Sequence, residues 1–311
     1  MIRFLARRVG LLVLVIWGVV TSTFLLVHAT PGDPARTTLG DKASESAVQA
    51  LRAEWGLDQP LGVQYWHFLL DLLSGNLGTS FQYRSPIASL ITDRLPTTLL
   101  LMLLAVVFAV LISLPLATWV AVRGRGSADM GVRLFGAVAQ GTPAFLTGTL
   151  LVIVFGLNLR WFPVGGYGRT TAEHLHSLVL PALTIALGIV PLLVNSLRAS
   201  LTDALQSDFV AFGHSKGLKQ STVMAAYAIR NGSISGVTIL GIQAGALAGG
   251  ALVVEKVFAI PGMGSLMLTG ILGRDFPVVQ ATTLIFAGIV VVVYLVTDLS
   301  YAVLDPRARL A

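Results

Sequence analysis

Cysteine is absent from this 311-residue chain, which excludes disulfides, thiolate metal sites and cysteine nucleophiles. Charge is scarce as well. Only 12% of residues are charged, where an ordinary soluble domain carries about 25%. So few charges cannot cover a soluble core of this size. With 55% apolar residues and a mean hydropathy of +0.81, lipid must be the solvent for much of the chain. A phosphate-cradling loop is missing too. Such a loop needs Gly-Lys followed by Ser or Thr, and none of the four lysines, Lys42, Lys216, Lys219 and Lys256, follows a glycine. The chain is therefore not expected to hydrolyse ATP by itself, and no catalytic residue is assigned.

Six segments are apolar over the roughly 17–25 residues that a spanning helix needs. They lie near 9–29, 97–122, 133–157, 178–197, 233–254 and 280–303. The first follows a basic start like that of a signal peptide, but its apolar run is longer than such a peptide's, so it is read as a retained helix. The third is interrupted by Gln140-Gly-Thr-Pro143, and Pro143 is expected to kink it.

The net charge of +6 raises nucleic acid as a partner. The basic residues, however, flank apolar segments rather than forming a stripe with aromatics. With the amino terminus inside, residues 1–8, 123–132, 198–232 and 304–311 are cytoplasmic. These hold eleven Lys and Arg, or twelve with Arg133, in about 60 residues, against nine in about 110 outside. That asymmetry follows the positive-inside tendency and places both termini in the cytoplasm.

The resulting architecture is all-α: a polytopic membrane protein with six transmembrane helices, a small extracytoplasmic helical segment and a cytosolic helix between spans four and five. Residues 1–29 are the cytosolic start and first span, 30–96 the external segment, 97–303 a five-helix core and 304–311 a cytosolic tail. Within 30–96, Ser46–Trp55 has helical spacing with Gly56 as a stop. Tyr65–Leu73 supplies another amphipathic turn or two.

The polar interruption 198–232 is the most informative stretch. Asp208 can cap a helix, Phe209 and Phe212 share a face, and Gly217 can end it in a left-handed turn. Lys216 and Lys219 suit the negative end of its dipole, and a second helix starts at Ser221. Composition alone leaves two readings open: docking on a soluble partner, or lying among lipid headgroups. In the fifth segment Gly241, Gly245 and Gly249 recur every four residues, which puts them on one face of a single helix, with Gly250 adjacent. They suit either a subunit seam or pathway, or packing within one subunit. Asp298, near the inner end of the last span where Arg198 ends the fourth, is read as one half of a structural ion pair. Glu173-His174-Leu175-His176 is the one local cluster with metal-ligand chemistry. A solvated loop is preferred there, because two histidines at i, i+2 converge on a strand and diverge on a helix.

An ordered set of runs covers nearly the whole length: Pro31-Gly-Asp-Pro34, Gly56-Leu-Asp-Gln-Pro60, Gly75-Asn-Leu-Gly-Thr-Ser80, Ser215-Lys-Gly-Leu218, Glu255-Lys-Val-Phe258 with Pro261-Gly-Met-Gly264, Arg274-Asp-Phe-Pro277, and Asp298 with Asp305-Pro-Arg307. In this set the chain resembles the integral-membrane permease subunits of binding-protein-dependent ABC importers of the dipeptide, oligopeptide and nickel class. The resemblance implies a prokaryotic inner-membrane protein forming half of a translocation path. Its implied partners are a second permease subunit, two cytosolic ATPases that bind ATP and Mg, and an external solute-binding protein, with peptide as leading cargo and nickel, glutathione-like or opine-like solutes as alternatives. It implies no cofactor bound by this chain and no nucleic acid. It places ATPase coupling on Asp208, Phe209, Ala211, Phe212, Gly213, Lys216, Gly217 and Leu218, and an external scoop on Glu255, Pro261, Gly262 and Gly264 within 255–279. The chain departs from the family's usual loop at Ala211-Phe-Gly-His-Ser-Lys-Gly217, and Asn76 stands where an acid is common. The competing class, an ion-gradient-driven secondary transporter, usually places ionisable residues and broken helices near mid-membrane, whereas the charges here sit at span ends.

Overall fold

In the computed structural model, which describes residues 2–29, 32–40, 42–124, 126–217, 222 and 230–304, the regular elements are helical. Among those residues the β-type contact is a single bridge between Thr79 and Pro86. The helices are α1 (Ile2–Ala29), α2 (Pro34–Leu39), α3 (Glu45–Glu54), α4 (Leu61–Leu73), α5 (Ile87–Arg123), α6 (Ser127–Gly141), α7 (Ala144–Leu151), α8 (Thr171–Leu205), α9 (Asp208–Ser215), α10 (Arg230–Ile242), α11 (Ala244–Val257), α12 (Met263–Leu272) and α13 (Phe276–Leu304). They divide into two units, residues 1–98 with 261–291, and residues 99–260 with 292–311.

Among the described residues, three helices pass a length and hydropathy test for crossing a membrane: α5, α8 and α13. The number rises to five if two bent pairs each count as one span. One pair, α6 with α7, turns through 107°, so the expected kink at Pro143 is a break instead. Thr142 is extended and Pro143 sits just before α7. Proline lacks the N–H and clashes with the preceding turn, so one helix ends and another begins. α7 then runs on as a seven-residue π-helix, Val152–Asn158. The other pair, α10 with α11, bends by 53° at Gln243. The glycines of the fifth segment therefore do not lie on one continuous face. The first apolar segment falls in α1, of which Leu12–Leu26 registers as a shorter apolar helix.

The first unit is built on loops as much as helices. Asp33 caps α2 by accepting from the Ala35 N–H, and Pro34 opens the helix, a position where proline's missing donor is harmless. This short helix was not foreseen in the sequence. Ser44 caps α3, which falls within one residue of expectation, while α4 starts four residues earlier than the pattern at Tyr65–Leu73. Val48, Ile87, Met263 and Leu266 are fully or nearly fully buried here.

α8 is the axis of the second unit. Of its apolar window, 72% is buried, against 28% for α5 and for α13, so its neighbours rather than lipid surround it. A capping box starts it, with Thr170 and Glu173 satisfying each other's backbone N–H. Pro191 packs against Gly136 of α6, where an added Cβ would lie 3.3 Å from the proline ring.

Candidate functional site

Three of the sequence motifs meet in the first unit, around Asp275. Its carboxylate is fully buried and accepts hydrogen bonds from the Ser80 hydroxyl, the Phe81 N–H (3.1 Å) and the Gln82 N–H (3.0 Å). Ser80 Oγ in turn accepts from the Tyr83 N–H at 2.8 Å. Burying a carboxylate is costly unless donors satisfy it, and here three donors from one turn converge on it. The run Gly75–Ser80 is thereby tied to Arg274–Pro277. Gly32 joins them, because a Cβ there would fall 0.9 Å from the Arg274 guanidinium, and its φ of +129° suits glycine alone. In the sequence these runs are separate motifs. Nothing in their spacing indicated that one aspartate bonds across 195 positions.

The Glu255–Phe258 run has a different explanation. Phe258 is one of the largest fully buried side chains. It fits where Gly148 and Gly165 carry no Cβ: added atoms would lie 3.0 Å from its ring edge and 3.0 Å from its carbonyl oxygen, respectively. That carbonyl accepts from the Gly166 N–H at 2.9 Å. Glu255 is fully buried in α11. Pro261 and Gly262 form the turn before α12, and Gly264 is buried within that helix. The Met263 N–H donates to the buried Thr98 hydroxyl at 2.8 Å.

α9 follows α8 after a two-residue break, Gln206-Ser207. Asp208 is its first helical residue rather than its cap. Val210 and Gly213 are buried on one side, whereas Phe212 is 60% exposed on another. The Lys216 ammonium lies 4.5 Å above the Phe212 ring, within cation–π range. Gly217 ends the helix with φ +74°, the left-handed turn expected of it. Leu218, the start at Ser221 and Asp305-Pro-Arg307 lie outside the described residues, as do the side chains of Phe209 and Ala211.

Arg198 finds a partner in Asp129, at the start of α6. Asp129 is only 7% exposed and also accepts from Arg133 Nε at 3.0 Å, so the start of α6 is clamped to α8. Asp298 is half-buried in α13. Of the glycines, Gly241 is buried in α10, where a Cβ would meet Thr297 at 2.6 Å. Gly245 and Gly249 in α11 are exposed, and a Cβ added at either would meet nothing within 4 Å, while one at Gly250 would lie 3.9 Å from Ile185.

His174 stacks on Tyr167 at 3.9 Å, and His176 Nε2 sits 3.0 Å from the Trp161 carbonyl oxygen. The two rings serve separate neighbours. Among the described residues no group of three or more His, Cys, Asp or Glu converges as a metal site.

Residues 113–310 match the family model for the binding-protein-dependent transport system inner membrane component, and residues 1–102 match that for the N-terminal part of such membrane components. The oligopeptide transport system permease protein AppB of Bacillus subtilis (strain 168) is 33% identical over 99% of both chains. The glutathione transport system permease protein GsiC of Salmonella typhimurium (strain LT2) is 36% identical, again over 99% of both. A crystal structure of an amino acid ABC transporter with histidines aligns at 19% identity and a TM-score of 0.46, covering 77% of this chain and 98% of that one. The two family models between them account for almost every residue, including the motif loops bound by Asp275, so the chain belongs to the inner-membrane permeases of binding-protein-dependent ABC importers.

Proposed function

We propose that this permease imports peptides, forming half of a translocation path with a second, homologous permease subunit. Two cytosolic ATPases drive it and an external binding protein delivers cargo. The observation that carries the coupling part is α9: a short helix with one side buried and an exposed Phe212–Lys216 pair on another. It follows directly from α8, the most deeply packed of the candidate spans. A rigid axis joined to a protruding helix is suited to passing a push from an ATPase into the core. Peptide as cargo is supported by the names of the relatives, one of which carries oligopeptide and another glutathione.

In this reading the membrane is crossed six times, α1 included, with each bent pair counted as one span and both termini cytoplasmic. The helices α2 to α4 form an external cap. The ten-residue α12 is only about 15 Å long, half the bilayer core of about 30 Å. It therefore enters as part of a re-entrant scoop with Pro261 and Gly262. Exposed Gly245 and Gly249 offer the close-approach face for the second permease. ATP closure of the ATPase pair would shift a two-state equilibrium toward an outward-open path.

The test is Gly217→Trp in the assembled transporter reconstituted in vesicles. ATP hydrolysis should persist while peptide uptake is lost. Wild-type uptake would overturn the coupling role of α9, and uptake without ATP would overturn the ATP-driven reading.

A further inference from the structure

The first unit holds a half-open cavity of about 470 Å³, within the range of about 300–1,000 Å³ typical of small-molecule sites. Its apolar walls include Phe24, Trp55, Phe68 and Phe276. Its polar groups are unequally charged: Glu54 and Asp71 line it with His28 and His67, but among the described residues no lysine or arginine does.

Several of these polar groups are already used. His28 places Nδ1 2.8 Å from the Phe24 carbonyl oxygen and Nε2 3.0 Å from Gln64 Oε1. The Gln64 amide nitrogen donates to the Gln59 carbonyl at 2.7 Å, which fixes that orientation. Asp71 accepts from Asn76 Nδ2 through one oxygen only, at 3.3 Å. Glu54, His67 and Gln280 make no hydrogen bond or ion pair with the described residues. Among the described residues the cavity thus presents one carboxylate without a partner, a second with one oxygen free, and aromatic surface, with no lysine or arginine in its lining.

We propose that this cavity is a binding site for a small organic cation, a protonated amine carried on an aromatic or apolar body. The carboxylates of Glu54 and Asp71 take the ammonium, and the aromatic walls take the body and add the attraction of ring faces for a cation. Anionic headgroups and phosphates are disfavoured, because among the described residues no lysine or arginine lines the space. The site does not depend on how transport is driven. The amine can be the free amino terminus of a peptide or a separate small amine, and both present the same chemistry.

The test uses the full-length protein in lipid nanodiscs, titrated calorimetrically with phenethylamine, phenethyl alcohol and 3-phenylpropionate, with empty nanodiscs as the blank. Phenethylamine should bind about tenfold or more tighter than either isostere, the order expected of a charge-assisted hydrogen bond. Glu54→Gln, at an exposed position whose loss does not touch the core, should weaken it about tenfold, and adding Asp71→Asn should remove the preference for the amine. Thermal unfolding by circular dichroism should be unchanged in Glu54→Gln. Competition by a phenylalanyl dipeptide, but not by its N-acetyl form, identifies the cargo terminus as the amine; failure of both to compete assigns the site to a free amine. Equal binding of the three probes, no binding of phenethylamine at millimolar concentration, or full affinity in the double variant overturns the proposal.

Discussion

Replacing Asp275 should loosen the Ser80–Tyr83 turn selectively. The carboxylate takes three hydrogen bonds, two on Oδ2 from Ser80 and Gln82 and one on Oδ1 from Phe81. In Asp275→Asn the amide oxygen can keep the first two, but its NH₂ then faces the Phe81 N–H. One bond is lost, worth about 1.5–3 kcal/mol to a charged acceptor. The two that remain fall from charged to neutral strength, a drop of about 1 kcal/mol each. The sum is about 3.5–5 kcal/mol, brought down to about 3 kcal/mol where the half-buried turn admits water. Hydrogen exchange at the Phe81 and Gln82 amides should therefore accelerate by about two orders of magnitude, since each 1.4 kcal/mol is about a factor of ten. Amides in the middle of α8, which belongs to the other unit, should not change. Ser80→Ala should expose the Tyr83 amide as well, because Ser80 Oγ holds it, and the double variant should cost less than the sum of the singles. Unchanged exchange at Phe81 and Gln82 in Asp275→Asn would refute the carboxylate's role as the clasp.

Gly32→Ala should lower the thermal midpoint measurably, because φ +129° is strained for alanine and the new methyl collides with Arg274; the Arg274→Ala background relieves only the collision, so part of the loss should persist. Asp129→Ala should destabilise by about 1–3 kcal/mol, below the 3–5 kcal/mol of a fully buried pair, since Arg133 and Arg198 remain partly solvated; a chemical melt matching wild type would contradict the clamp. Gly241→Val should destabilise the isolated subunit against Thr297, whereas Gly245→Val, with open space around it, should leave its melt intact and weaken co-purification with the second permease. If Gly245→Val assembles normally, the exposed glycine face is not the seam.

Helical class, lipid as solvent and the positions of the long apolar segments were readable from local chemistry, because hydropathy and period are properties of neighbouring residues. So were the ends that depend on one residue type, such as the left-handed stop at Gly217 and the helix near 45–54. One break was legible only as a kink and another not at all. At Pro143 the sequence announces a disruption, but whether a helix kinks or turns through 107° depends on what packs against each half. At Gln243 no proline or glycine pair marks the bend, so glycines with a four-residue period looked like one face. The partners of Asp275, Phe258 and Arg198 were equally hidden, for each contact joins residues far apart in the chain. What the order of amino acids settles is which surfaces must leave water. Which acid meets which donor, and which glycine makes room for which ring, is decided only when distant segments are brought together, since a buried charge or an absent side chain has meaning only through the atoms that surround it.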